Sequence, residues 1–334
     1  MKNWVKIYLL SFIFILCFIG VFNYFMDSSW TFFHSHKYNN IQKATDERQL
    51  KSNYLYYTDK KFDTLLLGSS RTTYMNTNSF LPFKVFNFSA GGMMPYEYLF
   101  FIDFVIKDLE QPIDNIIIGM DFFGYLGKYR SNYSEKVINN VKINLYRWKI
   151  LLSMDTFKNS INNLRYNFSE SKLFEKYNRN LIKTYSKITD LKIQNDNVKK
   201  DIINYINTKY NQKKDDEYYD FIVKIRSKYN DKKFIIYTTP ISDPLFQEII
   251  KLGHIENYKN WLRTLVDVFG SVHHFMYPNS VSKNYLNYFF DANHAYPETN
   301  DIVAKTIVAN ENIIEDFGLI LTKENIESYL RSLD

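Results

Sequence analysis

The sequence has a single cysteine, Cys17, among 334 residues, and this scarcity excludes several kinds of site. One thiol cannot form an intrachain disulfide, and it cannot supply a cysteine-based metal site. Cys17 also lies inside an apolar run near the amino terminus, so the rest of the chain has no thiolate nucleophile. The stability of that remainder must therefore come from its hydrophobic core.

Glycine and proline are also scarce, with 10 and 7 residues in the whole chain. Neither occurs between residues 128 and 220, so no strong turn residue divides this segment. Its apolar residues recur at helical spacing and no strand is evident, which predicts a helical insertion at about 128–220. A lid, an acceptor-binding surface and a solvated elaboration without chemistry are all open interpretations of it.

Strong charge of one sign is absent, since the net charge is only +6 and the charges are scattered. No basic helix with interleaved aromatic residues occurs, so we expect no nucleic-acid partner. Aromatic residues make up 18% of the chain, which is typical of a folded protein with a core. His34 and His36 form only a pair, and because two ligands rarely make a metal site, no metal or other cofactor is predicted.

One long apolar run is present, from Ile7 to Met26, and it carries no charged residue. Twenty such residues can cross a bilayer core as a helix. Lys2 and Lys6 precede the run and Asp27 follows it, so the positive-inside rule predicts a cytoplasmic amino terminus and an extracytoplasmic remainder. A cleaved signal peptide is the alternative, but the run is long and no small-x-small cleavage site follows.

After this anchor (1–27), the residues 28–62 are predicted to form a stalk and a lead-in helix. From residue 63 onward, short apolar runs alternate with helical stretches: 65–67, 85–88, 115–119, 233–237 and 272–277. This alternation is typical of parallel βαβ units. We therefore expect an α/β domain over 63–334, a flavodoxin-like three-layer α/β/α sandwich with the helical insertion inside it.

Polar residues that could take part in catalysis follow these predicted strands. Gly68-Ser69-Ser70 comes directly after the first strand, and in α/β sheets ligands bind at that edge. A Gly-Ser turn that caps the next helix is the alternative. In Asp291-Ala292-Asn293-His294, the Asp can hold the imidazole Nδ1–H while the other nitrogen faces a serine. A capping Asp beside a structural His is the alternative there.

Together these pieces resemble the SGNH (GDSL-type) hydrolases and acyltransferases. The sequence looks most like their membrane-anchored extracytoplasmic branch, which includes the D-alanine transfer protein of lipoteichoic acid synthesis and proteins linked to polysaccharide O-acetylation. The resemblance covers about Asp63 to Lys305 apart from the insertion. The matching residues are Gly68-Ser69-Ser70, Asn87 with Gly91-Gly92, Gly119-Met120-Asp121 and Asp291-Ala292-Asn293-His294.

The resemblance implies a serine acyltransferase or esterase that acts on a cell-envelope polysaccharide or teichoic-type polymer, with a membrane-bound O-acyltransferase as a candidate partner. Ser70 matches the nucleophile, His294 the general base and Asp291 its orienting carboxylate, while Ser69 stands at the family's Asp position. The backbone N–H groups of Ser70 and Gly92, with Gly91 beside it, would be oxyanion donors. A non-catalytic envelope protein with this fold is the alternative.

One position departs from the family pattern, because Asp121 stands where the family has an Asn that donates to the oxyanion. Either Asp121 has another role, such as holding the loops in place, or the oxyanion is bound by backbone donors. Arg71 would anchor an anionic substrate group, pair with Asp121 or lie on the surface. Four further residues have no role that their spacing requires: His273, His274, Asp243 and His254. Of these, Asp243 and His254 would line the same edge of the sheet as the serine.

Overall fold

The computed structural model of the protein describes residues 3–43, 45–127, 130–168 and 174–333. Lys2 and the residues 128–129 and 169–173 of the predicted insertion lie outside the described residues. The chain divides into two compact units. Unit 1 consists of Met1–Lys60 and Asn132–Thr184, and unit 2 consists of Lys61–Ser131 and Tyr185–Asp334.

The helices and strands are numbered in chain order through both units. The α-helices are α1 (Asn3–Met26), α2 (Glu47–Tyr57), α3 (Ser70–Thr73), α4 (Pro95–Asp103), α5 (Tyr133–Val141), α6 (Tyr146–Leu151), α7 (Met154–Phe168), α8 (Leu191–Tyr205), α9 (Tyr218–Lys228), α10 (Asp243–Lys251), α11 (Ile255–Phe269), α12 (Ser280–Lys283), α13 (Tyr285–Tyr288), α14 (Pro297–Ala309) and α15 (Ile326–Arg331). The strands are β1 (Ile41–Gln42), β2 (Thr64–Leu67), β3 (Val85–Asn87), β4 (Asn115–Met120), β5 (Glu175–Asn178), β6 (Lys183–Tyr185), β7 (Lys233–Thr238), β8 (Ser271–His274) and β9 (Leu319–Thr322). Short 3-10 helices cover Thr77–Phe80 and Phe122–Gly124, and single π-helical turns cover Phe104–Asp108 and Ile206–Tyr210.

Unit 1 combines the helices α1, α2, α5, α6 and α7 with a three-stranded sheet in the order β1-β5-β6. The expectation that the segment 128–220 contains no strand is therefore wrong. Strands β5 and β6 are short and polar, so they lack the apolar alternation that marks a strand in sequence. They form because β5 pairs antiparallel with β1, where Ile41 lies opposite Asn178, a partner far away along the chain.

Helix α1 contains the whole apolar run that the sequence marks as an anchor. Within the described residues it is the one helix that is long and apolar enough to cross a membrane. Most of its large side chains are exposed, from Trp4 through Val21. Only Ile19, Asn23 and Met26 are buried, all of them toward its carboxyl end.

Unit 2 is built on a six-stranded sheet in the order β3-β2-β4-β7-β8-β9. The first five strands are mutually parallel, which confirms a mixed α/β unit with a mostly parallel sheet. Strand β9 is an antiparallel edge strand beside β8 that the sequence pattern did not predict. Every residue of β2 is buried, as expected for a central parallel strand covered on both faces.

Two glycines at the ends of the central strands allow the chain to turn closely over the sheet. A Cβ atom on Gly68, just after β2, would lie 2.2 Å from Thr72 Oγ1. A Cβ atom on Gly119, near the end of β4, would lie 2.5 Å from the Tyr237 hydroxyl. Only glycine fits at these positions, and this close fit lets α3 begin directly at the carboxyl edge of the sheet.

Candidate active site

The turn after β2 gives its two serines different tasks. Ser69 is buried and caps α3, because its hydroxyl accepts a hydrogen bond of 3.4 Å from the Arg71 N–H. Ser70 is the first residue of α3 and is only partly buried. The helix-cap interpretation of this stretch is therefore correct for Ser69, and it leaves the Ser70 side chain for other contacts. The Ser70 N–H lies in the first helical turn, where N–H groups have no partner within the helix.

Ser70, His294 and Asp291 form a continuous hydrogen-bonded chain. Ser70 Oγ lies 2.8 Å from His294 Nε2, and His294 Nδ1 lies 2.8 Å from Asp291 Oδ2. Both separations are within the range expected of a nucleophile, a general base and the group that orients the base. The three residues come from opposite ends of unit 2, since 224 positions separate Ser70 from His294.

The loop that carries His294 is shaped by Asp291 itself. Its Oδ1 accepts the backbone N–H groups of Asn293 at 2.8 Å and His294 at 2.6 Å, so one carboxylate makes the turn and orients the ring. Burial alone would raise the pKa of Asp291, but His294 and these hydrogen bonds hold it below its usual value. Phe290 stacks on the imidazole with ring centroids 5.4 Å apart, which limits rotation of the ring.

Next to the hydrogen-bonded residues Ser70, His294 and Asp291 lies a buried network centred on Arg71. Its side chain is only 2% exposed, and Nη1 donates to Asp121 Oδ1 and to Thr239 Oγ1, each at 3.0 Å. Nη2 donates to the Tyr210 hydroxyl at 3.1 Å, and the guanidinium also lies 5.1 Å from the centre of the Phe123 ring. The surface interpretation of Arg71 is therefore wrong, and the pairing with Asp121 is the alternative that the structure contains.

Asp121 is enclosed in the same network. Its Oδ1 accepts from Arg71 and also from the Thr239 hydroxyl at 2.5 Å. This carboxylate ties the end of β4 to α3 and to the end of β7. In the described residues its second oxygen, Oδ2, is buried without a hydrogen-bond partner.

Asn293 joins the two networks and had no role in the sequence-based prediction. Its Oδ1 accepts from Arg71 Nε at 2.9 Å, so its amide nitrogen faces the other way, 2.6 Å from the Tyr205 hydroxyl and 3.3 Å from His294 Nε2. An N–H directed at His294 Nε2 favours the tautomer in which Nε2 accepts and Nδ1–H faces Asp291. That tautomer is the one a general base requires.

Tyr205 and Tyr210 were not predicted as site residues. Both lie in the segment 128–220, at the end of α8 and in the π-helical turn that follows. No local motif marks them, and only the fold brings them to Arg71 and Asn293. His254 supports the same region, since its Nε2 lies 2.6 Å from the Tyr210 backbone oxygen.

Asn87 ends β3, and the loop that follows contains the two glycines of the family resemblance. Asn87 Nδ2 donates to the backbone oxygens of Thr72 at 3.0 Å and Met75 at 3.2 Å, so this side chain holds α3 against the loop. Gly91 and Gly92 are exposed, and Gly92 has a left-handed φ of 61°. Gly92 lines a cavity of about 430 Å³ whose walls also include Met94, Phe123, Leu126, Thr208 and Lys209.

A second carboxyl group lies close to the His–Asp pair. Asp201, from α8, lines a cavity of about 360 Å³ together with Asp291, Tyr185, Phe290 and Lys200. Burial and the neighbouring Asp291 carboxylate raise the pKa of Asp201 to about 7. Asp201 Oδ2 is buried and has no hydrogen-bond partner in the described part of the chain. No local sequence pattern marks this residue.

The other histidines named from the sequence lie outside the hydrogen bonds that join Ser70, His294 and Asp291. His274 is fully buried, and its Nδ1 and Nε2 lie 2.8 Å from the hydroxyls of Thr238 and Tyr258. Burial lowers its pKa to about 3, so it is neutral. Burial also lowers the pKa of its neighbour His273. Asp243 begins α10 and its Oδ1 accepts from the Gln247 side chain.

Metal ligation has no support among the described residues. His36 Nε2 lies 2.9 Å from the Phe25 backbone oxygen, and His34 packs against the Tyr24 ring. The part of the chain that the structure describes holds no group of three His, Cys, Asp or Glu residues that could bind a metal ion.

Comparison of the chain with protein-family models, with curated proteins and with solved structures finds no match. The resemblance to the SGNH hydrolases therefore stays a prediction, and so do the catalytic roles of Ser70, His294 and Asp291.

Proposed function

We propose that the protein is a serine acyltransferase or esterase of the SGNH type, in which Ser70 is the nucleophile, His294 the general base and Asp291 the group that orients it. The observation that carries this proposal is the pair of 2.8 Å contacts, from Ser70 Oγ to His294 Nε2 and from His294 Nδ1 to Asp291 Oδ2. In the proposed reaction, His294 Nε2 takes the Ser70 hydroxyl proton as Oγ bonds to the carbonyl carbon of an ester.

The resulting tetrahedral intermediate collapses when the bond to the leaving alcohol breaks and that alcohol takes the proton from His294. Water or an acceptor alcohol then attacks the acyl-serine, and His294 again removes and returns one proton. Attack by water gives an esterase and attack by an acceptor gives a transferase. The two activities therefore share the same residues and the same intermediate.

The oxyanion is proposed to rest on backbone donors, the N–H groups of Ser70 and Gly92. Asp121 Oδ1 already accepts from Arg71 and Thr239, which supports a role in holding the loops instead of contacting substrate. For the same reason Arg71, at 2% exposure, is proposed as a positioning residue. A carboxylate beside the oxyanion would repel it, but the Arg71 guanidinium pairs with Asp121 and offsets that charge.

We further propose a flavodoxin-like three-layer α/β/α arrangement for unit 2. Its strands, taken in sequence order within the unit, follow the order 2-1-3-4-5 with one antiparallel edge strand added. The flavodoxin-like folds have that order and bind ligands at the carboxyl ends of their strands. Ser70 and Asp121 follow β2 and β4, which supports the proposed position of the site.

For its location, we propose a single-pass membrane protein with α1 as the anchor, a cytoplasmic amino terminus and an extracytoplasmic remainder. The length and apolarity of α1 support the anchor. The basic residues Lys2 and Lys6 at its amino end support the orientation. An enzyme in that place would act on esters of a cell-envelope polysaccharide or teichoic-type polymer, O-acetyl or D-alanyl, with a membrane-bound O-acyltransferase as the candidate source of acyl groups.

The enzyme proposal is tested with the full-length protein in detergent, a fluorophosphonate probe for active serines, and p-nitrophenyl acetate. We expect the probe to label the wild-type protein and Ser70→Ala to abolish both the labelling and the ester hydrolysis. Ser69→Ala is the matched control, because Ser69 is adjacent but buried. Labelling that persists in Ser70→Ala would refute the assigned nucleophile.

The second candidate is a non-catalytic envelope protein that uses this fold to bind glycans or to assist assembly. It predicts that neither the wild-type protein nor any variant reacts with the probe. Folding of each variant is checked by its thermal unfolding, so that an inactive variant can be distinguished from an unfolded one.

A further inference from the structure

Unit 1 has a strongly apolar surface in the segment that connects α5 to α7. Helix α6 in this segment has no buried residue at all. We call the exposed apolar residues of this segment the α6 surface: Ile143, 47% exposed; Leu145, 73%; Trp148, 59%; Leu152, 52%; and Met154, 63%. Five exposed apolar side chains within the twelve residues 143–154 are unusual on a surface that faces water, and such clusters mark contact with another apolar phase.

The backbone at Leu145 supports this interpretation. Leu145 has a left-handed conformation, with φ 63° and ψ 14°, which bulky residues rarely adopt. Such a conformation is strained for a residue that carries a Cβ atom. The Leu145 backbone oxygen accepts the Trp148 and Lys149 N–H groups at 2.9 Å, so this conformation begins α6. It leaves the Leu145 side chain on the surface, where 73% of it is exposed.

The α6 surface lies beside the carboxyl end of α1. Asn23 of α1 donates to the Leu151 backbone oxygen at 2.8 Å, and a Cβ atom on Gly20 would lie 3.6 Å from Leu152 Cδ2. At 1.5 Å per residue, the part of α1 from Trp4 to Asn23 is about 28 Å long. A bilayer core is about 30 Å thick, so the level of Asn23 is where the core would end if α1 crosses it.

Aromatic and basic residues at this level match a membrane interface. The Trp148 ring lies 6.1 Å from Phe32, which in turn lies 4.9 Å from Tyr24 of α1. Trp and Tyr are enriched where acyl chains meet head groups. The segment 142–154 has no acidic residue and carries the exposed Lys142 and Lys149, whose charge suits phosphate head groups.

From these observations we infer that the α6 surface inserts into the bilayer interface beside α1. The apolar side chains of the α6 surface enter the boundary of the acyl chains, and the basic residues of the segment 142–154 lie among the lipid head groups. Unit 1 then has two membrane contacts, one that spans the bilayer and one that lies on it. This inference rests on the proposal that α1 is a membrane anchor, and it is independent of the proposed catalysis.

The test uses the full-length protein with Cys17→Ala, which removes the natural thiol. Trp148→Cys is labelled with bimane and reconstituted into vesicles of phosphatidylcholine and phosphatidylglycerol, with and without brominated acyl chains. The matched control is Glu135→Cys, which is exposed in the first turn of α5, at the end of that helix away from α6. We expect quenching by the brominated lipid to be several-fold stronger at position 148 than at position 135.

Leu145→Cys is measured in parallel and is expected to give the same strong quenching, so the result does not depend on the loss of Trp148. Flotation of the vesicles separates the two proposals. If the protein floats with the vesicles but the quenching at 145 and 148 equals that at 135, the interfacial contact is refuted and the anchor stands. If the protein does not float, the anchor and the interfacial contact both fail, whereas serine labelling still tests catalysis.

Discussion

Ser70 and Arg71 are consecutive residues with opposite environments. Ser70 is partly exposed and contacts His294, whereas Arg71 is 2% exposed and contacts Asp121, Thr239, Tyr210 and Asn293. The physical reason is helical geometry, because successive side chains at the start of α3 point about 100° apart. One side chain faces the open edge of the sheet and the next faces its interior.

The difference suggests a division of labour between the two networks. The hydrogen-bonded series Ser70, His294 and Asp291 has few members and is accessible, as a reacting site must be. The network around Arg71 is closed, and it holds together the ends of β2, β4 and β7 with the loop of Asn293. Changes in the first network should therefore alter activity without loss of stability, whereas changes in the second should lower stability.

The largest expected effect is on activity, in Asp291→Asn. An Asn side chain can still accept the two backbone N–H groups, but its amide would face His294 Nδ1 with an N–H. The imidazole would then carry its proton on Nε2 and could not accept one from Ser70. We expect kcat/KM toward p-nitrophenyl acetate to fall by about 10³- to 10⁴-fold.

Thermal unfolding of Asp291→Asn should stay close to that of the wild-type protein, since the turn is retained. Unchanged turnover in a folded variant would contradict the proposed role of Asp291.

The second prediction concerns stability, in Asp121→Ala. The substitution leaves the buried Arg71 guanidinium without its carboxylate, and breaking a buried ion pair from one side costs about 3–5 kcal/mol. The measurement is the free energy of unfolding from chemical denaturation. Glu327→Ala is the matched control, because it breaks an exposed pair with Arg263, whose side chains are 56% and 41% exposed. That control should change the free energy of unfolding far less than Asp121→Ala does, because solvent screens an exposed pair.

An equal loss in the two variants would show that the Arg71 network does not hold the fold. The double variant Arg71→Met with Asp121→Leu should recover part of the stability, because it removes both charges together. The recovery is incomplete, since Asn293 Oδ1 and the Tyr210 hydroxyl lose the Arg71 donors.

The third prediction is a dependence of stability on pH, which involves Asp201 beside the His294–Asp291 pair. Its pKa is raised from 3.8 to about 7 in the folded protein. Between these values only the folded state keeps the proton, so the stability that this proton contributes is full below pH 3.8 and is lost as pH rises through about 7. Asp201→Asn cannot ionise and lacks this dependence.

We therefore expect the melting temperature of Asp201→Asn to rise relative to that of the wild-type protein as pH increases from 4 to 7, and the difference to level off above that. Melting curves across this range measure it. Parallel curves for the two proteins would contradict a shared environment of Asp201 and Asp291.

Much of the site could be predicted from sequence because its residues lie in short local patterns. Gly68-Ser69-Ser70 follows a continuous apolar run, and Asp291 is three residues before His294, a spacing that a single turn can satisfy. The apolar runs also predicted the five parallel strands of unit 2, because strands buried on both faces have apolar residues at successive positions. These features depend on neighbours in the chain.

The remaining features depend on residues that are far apart in sequence. The burial of Arg71 follows from Asp121, Thr239 and Asn293, which three separate loops supply. The polar strand β5 pairs with the distant β1 on one side and with β6 on the other. Asp201 reaches the site only because α8 packs near the His294 loop. The sequence by itself determined the apolar helix, the parallel strands and the candidate nucleophile, since each is encoded in adjacent residues. Only the tertiary structure decided which polar groups meet, because desolvation and hydrogen bonding depend on the surroundings that folding creates.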